Sequence, residues 1–417
     1  MEDFWNFKRF GNKVALIRDN GNTVSYNELD SMIRWFGEGL QNNSSMIIVC
    51  KNNFSTVCAY FACLYKGCVP ILVSEELEES SICDLAMRYK VQYIMTSNDG
   101  LKNKFRTVYS NLFSERYSLY RLREEEININ PKLALLLSTS GSTGSRKFVR
   151  ISKDNIKANT IDICRSLDIQ FRDVAICYLK LDYTYGLSIL QTHLYMGCTV
   201  VLTEKNIMSG NFWDCVDKYN VTSFSGVPFT YDMLHMLRFD IRKHKSLKML
   251  TQAGGKMQDD ELKYWANLSE KNKCSFFVMY GQTEATARMT VLDITKHKDK
   301  LRSVGKPIGE GVIKISQDGE VIYSGNNVMM GYAEGWADLC RKEESQLVLY
   351  TGDFGYLDEE GYLYIDSRKS IISKICGKRI NLEELRDLVY SEIDIRDTFQ
   401  LFITDDGLVI DIVKALV

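Results

Sequence analysis

The sequence predicts an α/β fold, a long alternating series of helices and strands followed by a shorter region rich in hairpins. Three observations carry that prediction. Short β-rich apolar runs alternate with helical patterns in the first third and again from about 131 to 250, the order that gives parallel strands joined by crossover helices. From about Gly305 the texture changes to short alternating runs broken by turn signals. The 417 residues, 45% apolar and 25% charged, are enough for a large core and two or three domains.

Each element follows from its local pattern. SYNELDSMIRWFGEGL (25–40) places Leu29, Met32, Ile33, Phe36 and Leu40 on nearly one helical face, and Ser25 with Glu28 has the spacing of a capping box. MIIVC (46–50), VPILVS (69–74) and VQYIMTS (91–97) read as buried strands, with a helical stretch that ends at Gly67 between the first two. LALLLSTS (133–140), VAICYLKL (174–181) and CTVVLT (198–203) continue the series, and a helix is expected from about Lys153. The runs IKISQDGEVIYSG and LVLYTGDFGYLDEEGYLYI are hairpins, turning at Asp318-Gly319 and Glu359–Gly361. There is no internal repeat and no low-complexity tract.

Charge and cysteines narrow the function. The 52 Lys and Arg nearly cancel the 54 Asp and Glu, so the net charge of −2 carries no electrostatic footprint for nucleic acid or an acidic membrane surface. No run is long and apolar enough for a membrane span, and the N-terminus lacks the order of a secretion signal. The 12 cysteines are scattered through apolar runs without Cys-x-x-Cys spacing, so buried, reduced thiols and a cytoplasmic address are expected rather than a zinc site.

STSGSTG (138–144) follows a strand and precedes Lys147. Such a loop leaves backbone amides uncrowded and adds hydroxyl donors, equipment for phosphate oxygens. The spacing is not that of a Walker A loop, and a Gly/Ser run alone serves equally as a flexible connector.

Its company decides the reading. TSGSTG with Lys147, MYGQTEA (279–285), YTGDFGYLDEEGYLYI (350–365) and DSRKSIISKICGKRINLEEL (366–385) stand in the order of the corresponding segments of the adenylate-forming (AMP-binding) ligases. TVSYNELD (23–30) and YKGCVPILV (65–73) fit the same series, and the resemblance spans roughly 23–388. That superfamily holds acyl-CoA synthetases, carrier-protein ligases and peptide-synthetase adenylation domains.

The resemblance implies roles residue by residue. Thr139, Ser140, Gly141, Ser142, Thr143 and Gly144 would wrap the phosphates of ATP, with Lys147 as a nearby cation. Tyr280 would lie against adenine, flanked by Gly281 and Gln282, with Thr283 at the α-phosphate and Glu284 holding Mg²⁺. A flat aromatic face suits a purine, and a hard carboxylate oxygen suits magnesium. Asp353 would grip both ribose hydroxyls and Arg368 would contact the ribose, while Gly254 and Gly255 would flank the adenine. Tyr183, Tyr185, Val227 and Ala253 are candidates for the acid pocket, with Leu187, Pro228 and Phe229 nearby, although core packing explains the aromatics as well. Asp182 would either salt-link an amino group of an amino acid substrate or cap a loop. Lys374 and Gly377 fall on the expected first hairpin after the hinge.

The fold implied is a large N-terminal adenylation core of layered αβ sheets over 1–366, with a β-rich subdomain at about 305–365. A short, incomplete α+β C-terminal domain over 367–417 would follow. Departures from the family pattern are Arg146-Lys147-Phe148 in place of Pro-Lys-Gly, Lys153 in place of His, Ser367 in place of Gly, and Ser370 at the hinge. The sequence stops at Val417 without the Gly-Lys segment whose lysine bridges the substrate carboxylate and phosphate. The expected activity is therefore an acid–thiol ligase with weak adenylation, or one completed by another polypeptide. It would form an acyl-adenylate from a small carboxylic or amino acid and pass it to coenzyme A or to the phosphopantetheine thiol of an acyl carrier protein. The alternative is a nucleotide-binding pseudo-ligase with a regulatory or scaffold role.

Overall fold

The computed structural model describes residues 4–125, 127–139, 147–342, 347–368, 372–375, 378–381, 398–404 and 407–413. The chain divides into two compact units, Met1–Val312 with Ser324–Leu349, and Ile313–Tyr323 with Tyr350–Val417.

The larger unit is built on two sheets. In the first, the strands Ser275–Tyr280, Met249–Gln252, Ser223–Gly226, Val174–Cys177, Thr199–Leu202 and Val14–Ile17 lie side by side and parallel. Thr290–Asp293 and then Ser303–Pro307 extend one edge, and Thr23–Ser25 the other, all antiparallel. In the second sheet Leu133–Ser138, Val69–Ser74, Ser45–Cys50 and Tyr93–Thr96 are parallel, flanked by antiparallel strands.

Alternation along Ser45–Cys50 explains the layers. Met46, Ile48 and Cys50 face a core that also takes in Val200 and Leu202 of the first sheet, while Ile47 and Val49 face a second core on the other side. The helices Tyr26–Glu38, Phe54–Lys66 and Thr184–Tyr195 contribute to the shared core. Phe54–Lys66 is apolar nearly all round and buried accordingly. The α/β expectation thus holds.

Local signals behave as read. Ser25 caps Tyr26–Glu38, its hydroxyl accepting from the Glu28 amide at 3.2 Å while Glu28 accepts from the Ser25 amide at 2.7 Å. Replacing Ser25 with alanine is expected to cost about 1 kcal/mol of stability, read by denaturant midpoint. A second box at Ser152 and Asn155 starts Lys153–Ser166 where a helix was expected. One strand is shorter than its apolar run: Val174–Cys177 stops four residues before Leu181 because the Asn52 side-chain amide donates to the carbonyls of Cys177 and Leu179, at 3.2 and 3.1 Å. The Leu179 carbonyl is thus met by a side chain instead of a neighbouring strand, while the Cys177 carbonyl also accepts from the Thr203 amide at 3.2 Å.

The described cysteines are free thiols, most of them buried. Burial pushes Cys58, Cys63, Cys164, Cys177, Cys198 and Cys274 above the ordinary thiol range. No described helix is long and apolar enough to cross a membrane.

In the smaller unit the strands run in the order Val312–Ile315, Glu320–Ser324, Val348–Leu357 and Leu363–Arg368, the hairpin texture read from the sequence. Ile372–Ile375 pairs with Lys378–Asn381, and Thr398–Thr404 with Gly407–Val413. The segment 382–397 and the positions Ser370 and Gly377 lie outside the described residues, as do the side chains beyond Arg368.

Candidate active site

Ligands of open α/β sheets bind beyond the carboxyl ends of the parallel strands, because loops from neighbouring strands converge there. Three candidate segments of the larger unit begin at such ends: Val227 after Ser223–Gly226, Ala253–Gly255 after Met249–Gln252, and Gly281–Ala285 after Ser275–Tyr280.

The last of these is a tight, braced turn. Tyr280 pairs with Thr290 across the sheet, and the chain then folds into a short 3-10 turn at Thr283–Ala285. Gly281 admits no side chain, since a Cβ there would overlap the Ala287 carbonyl oxygen. Thr286 takes a positive φ of 65°, held by the hydroxyl of Thr184 on its carbonyl and by its own hydroxyl donating to the Asn327 carbonyl at 2.7 Å. The Asn327 side-chain amide donates to the carbonyls of Ala285 and Arg288, at 2.8 and 2.9 Å. Tyr280, Gly281, Gln282, Thr283 and Glu284 remain half-buried, open to one side, while Ala285 is buried.

Glu284 Oε1 accepts a 2.8 Å hydrogen bond from the Tyr332 hydroxyl, and its backbone carbonyl accepts from Met329. Among the described residues Oε2 takes no hydrogen bond or ion pair. No group of three or more His, Cys, Asp or Glu able to hold a metal occurs among the described residues. A lone carboxylate nevertheless fits Mg²⁺, which takes one or two protein carboxylates and fills its other positions with phosphate oxygens and water. Among the described residues the buried Gln282 side-chain nitrogen has no partner, a donor suited to a bound polar group beside this turn.

The pocket candidates gather around Gly254. Its φ is +87°, and a Cβ there would overlap the Tyr183 hydroxyl and lie 3.3 Å from Val227. Ala253 is buried in one cluster with Tyr185, Met279 and Ala287, against which Tyr183 packs. Gly254→Ala is expected to cost about 1–3 kcal/mol through the positive φ alone, measured as a lowered denaturation midpoint. Tyr185 is fully buried, its hydroxyl 2.9 Å from the Thr251 carbonyl and 2.7 Å from Thr251 Oγ1, and burial pushes its phenol up to about 12. Leu187 belongs to the core between the sheets, and Phe229 is 68% exposed, so neither stands with Tyr183.

Asp182 is half-buried, its Oδ1 lacks a partner among the described residues, and burial pushes its carboxyl above the usual range. A carboxyl raised on folding contributes stability below its unfolded value, and that contribution is lost as pH rises through the folded value. Asp182→Asn should therefore raise the melting temperature at pH 7, and the difference should vanish below about pH 4, near the free aspartate value. Scanning calorimetry at the two pH values reads it.

Lys147, the candidate phosphate cation, is exposed and pairs with Glu334 at 3.1 Å, a contact of small energetic weight. Thr139 is half-buried after Leu133–Ser138, and residues 140–146 lie outside the described residues. Within the smaller unit, Asp353 and Arg368 are cross-strand partners with Arg368 Nε 3.2 Å from Asp353 Oδ1. Asp353 is buried, and its amide donates to Thr351 Oγ1 at 3.1 Å.

Four residues that shape the turn escaped the sequence reading: Asn327, Tyr332, Thr184 and Arg288. The Asn-Asn pair at 326–327 ahead of Val328 is the one signal that pointed to Asn327. Arg288 is 3% exposed, its backbone amide and carbonyl both tied to the Asn159 side chain.

The model of the AMP-binding enzyme family matches residues 4–333. The 2-succinylbenzoate–CoA ligase of Bacillus subtilis (strain 168) is 26% identical over 409 residues, covering 91% of this chain and 80% of its own. In fold, the chain resembles the o-succinylbenzoate CoA synthetase of Bacillus subtilis in complex with the acyl-adenylate intermediate OSB-AMP, with a TM-score of 0.80 at 24% identity over 98% of this chain and 86% of that one. The same synthetase with ATP and magnesium ion superimposes with a TM-score of 0.78 at 23% identity, over 98% and 88%. A match across most of the chain, on the strands and turns just described, makes this protein a member of the AMP-binding enzyme family, the adenylate-forming ligases.

Proposed function

We propose that the protein is an ATP-dependent acid–thiol ligase, joining a small carboxylic acid to AMP and passing the acyl group to coenzyme A. The observation that carries the reading is the braced Tyr280–Ala285 turn at the carboxyl edge of the parallel sheet, inside the segment matched by the family model. The relatives' names supply the acceptor, since they are CoA ligases.

In the first step a carboxylate oxygen of the acid attacks the α-phosphorus of ATP, the bond to the β-phosphate oxygen breaks, and pyrophosphate leaves. In the second the thiol sulfur attacks the acyl carbon, the carbon–oxygen bond breaks, AMP leaves, and the thiol proton passes to solvent. Neither step needs a side-chain nucleophile, so the enzyme's work is alignment and charge neutralisation. Residues 139–144 and Lys147 are assigned to the phosphates, Thr283 to the α-phosphate, and Tyr280 with Gly281, Gln282, Gly254 and Gly255 to the base. Asp353 and Arg368 are assigned to the ribose, and Tyr183, Tyr185, Val227 and Ala253 to the acid. Glu284 would hold Mg²⁺, which, when bound, neutralises phosphate charge.

The proposed division is an adenylation core over 1–366 and a C-terminal domain from 367, and the proposed address is the cytoplasm. Acid-dependent exchange of labelled pyrophosphate into ATP, followed by mass spectrometry of the thioester with coenzyme A or with a phosphopantetheine-bearing carrier, tests the reading. Nucleotide binding without exchange for any acid in a broad panel would overturn it.

A further inference from the structure

Arg288 is a buried cation, 3% exposed. Among the described residues no carboxylate pairs with it. Its guanidinium lies 4.1 Å from the centre of the Tyr185 ring. Its polar contacts are Met279 Sδ at 3.3 Å, its neighbour's Ala287 carbonyl at 3.3 Å and Ser188 Oγ at 3.5 Å. A guanidinium carries five N–H donors in a planar fork, and these three contacts, none of them to an anion, leave two of the donors without a partner among the described residues. Enclosing such a group without an anion is costly, and a packed apolar side chain would fill the space more cheaply. The electrostatics agree, since burial lowers the affinity of Arg288 for its proton and the two tyrosines oppose that only in part.

Its position supplies a reason for retaining it. Tyr183 and Tyr185 meet edge-to-face, with ring centres 6.2 Å apart. On one side the Tyr183 hydroxyl faces Gly254, at the sheet edge where the acid is assigned. On the other, the Tyr185 ring lies against Arg288. Arg288 thus stands behind the tyrosine pair as seen from Gly254, on the side to which the far end of an acid seated at Tyr183 would point. The Arg288 backbone is clamped by Asn159 and by Asn327, the residue that also fixes the turn of Glu284. The distance between the reacting end and the guanidinium is thereby tied to one rigid segment.

Resting on the ligase reading, we infer that Arg288 is a specificity-determining residue that receives a second carboxylate, so that the substrate is a dicarboxylic acid activated at one end and held at the other. A fork-on-fork pair between guanidinium and carboxylate uses the idle donors and removes the uncompensated charge.

The experiment compares matched acids in pyrophosphate exchange. The first pair is 2-succinylbenzoate against 4-oxo-4-phenylbutanoate, which lacks the ring carboxylate; the second is glutarate against butanoate. The wild-type enzyme is expected to prefer at least one diacid by about 30-fold or more in kcat/KM, the scale of breaking a buried charge pair. Arg288→Leu is expected to raise KM for the diacid far more than for the monoacid, so that the ratio of their kcat/KM values falls to about one, and Arg288→Lys to restore part of it. A merely structural arginine would lower both acids alike. Equal use of diacids and monoacids by the wild type, which requires no variant to fold, or a preference that survives in Arg288→Leu, would overturn the inference and leave the ligase reading standing. Exchange with no acid of either kind would overturn both.

Discussion

Replacing Glu284 with alanine is expected to lower acid-dependent pyrophosphate exchange by about 10²–10³-fold while leaving the melting temperature nearly unchanged. The size follows from the charge at stake, because a metal at a triphosphate stabilises the developing negative charge by several kcal/mol. The small stability effect follows from position. Glu284 is half-buried, and among the described residues its side chain takes one hydrogen bond, from a Tyr332 hydroxyl that is itself partly exposed. Two further variants separate charge from shape. Glu284→Gln keeps an acceptor for Tyr332 but removes the negative charge, and should fall nearly as far as alanine. Tyr332→Phe removes the bond that orients the carboxylate while keeping its charge, and should lose less than about tenfold, the weight of one exposed hydrogen bond. Exchange by Glu284→Ala within threefold of wild type would sink the assignment of this carboxylate to the metal.

The second large effect is on stability. Asn327→Ala is expected to cost about 1–3 kcal/mol, because it removes one of the donors to each of two buried carbonyls in one substitution. Asn327 is 4% exposed, and its amide bridges Ala285 to Arg288 across the turn that carries Glu284. Each carbonyl keeps a second donor, Arg288 from the Asn159 side chain and Ala285 from the Ala287 amide at 2.7 Å, so the loss is that of two buried bonds rather than of a bare carbonyl. Activity should fall with stability at this position, unlike at Glu284. Urea denaturation gives the free energy, and exchange measured well below the midpoint shows whether the turn has lost its shape. A variant with wild-type stability would mean that water replaces the amide.

Signals confined to a few neighbouring residues were legible in the sequence. Ser25 with Glu28 and the apolar run VPILVS each act within one element, and each appears where the pattern put it. The turn at 280–285 was legible for the same reason, as a short string whose chemistry is written in adjacent side chains. Asn327, Tyr332 and Thr184 were not, because they reach that turn from 42, 48 and 102 residues away in the chain, and no local periodicity marks them. Arg288 was hidden differently: on paper it is one more charged residue in ATARMT, and only its enclosure beside Tyr185 sets it apart. The early end of Val174–Cys177 shows the opposite error, in which apolar continuity promised more strand than Asn52 allows.

The sealed thiols bear on product fate. An enzyme that releases mixed anhydrides of AMP risks acylating itself, and sulfur is the side-chain nucleophile most prone to intercept them. Cys58, Cys63, Cys164, Cys177, Cys198 and Cys274 are enclosed and held in the S–H form by their surroundings, so none presents a thiolate at neutral pH. At these six positions no thiolate competes with the incoming acceptor for an activated acyl group.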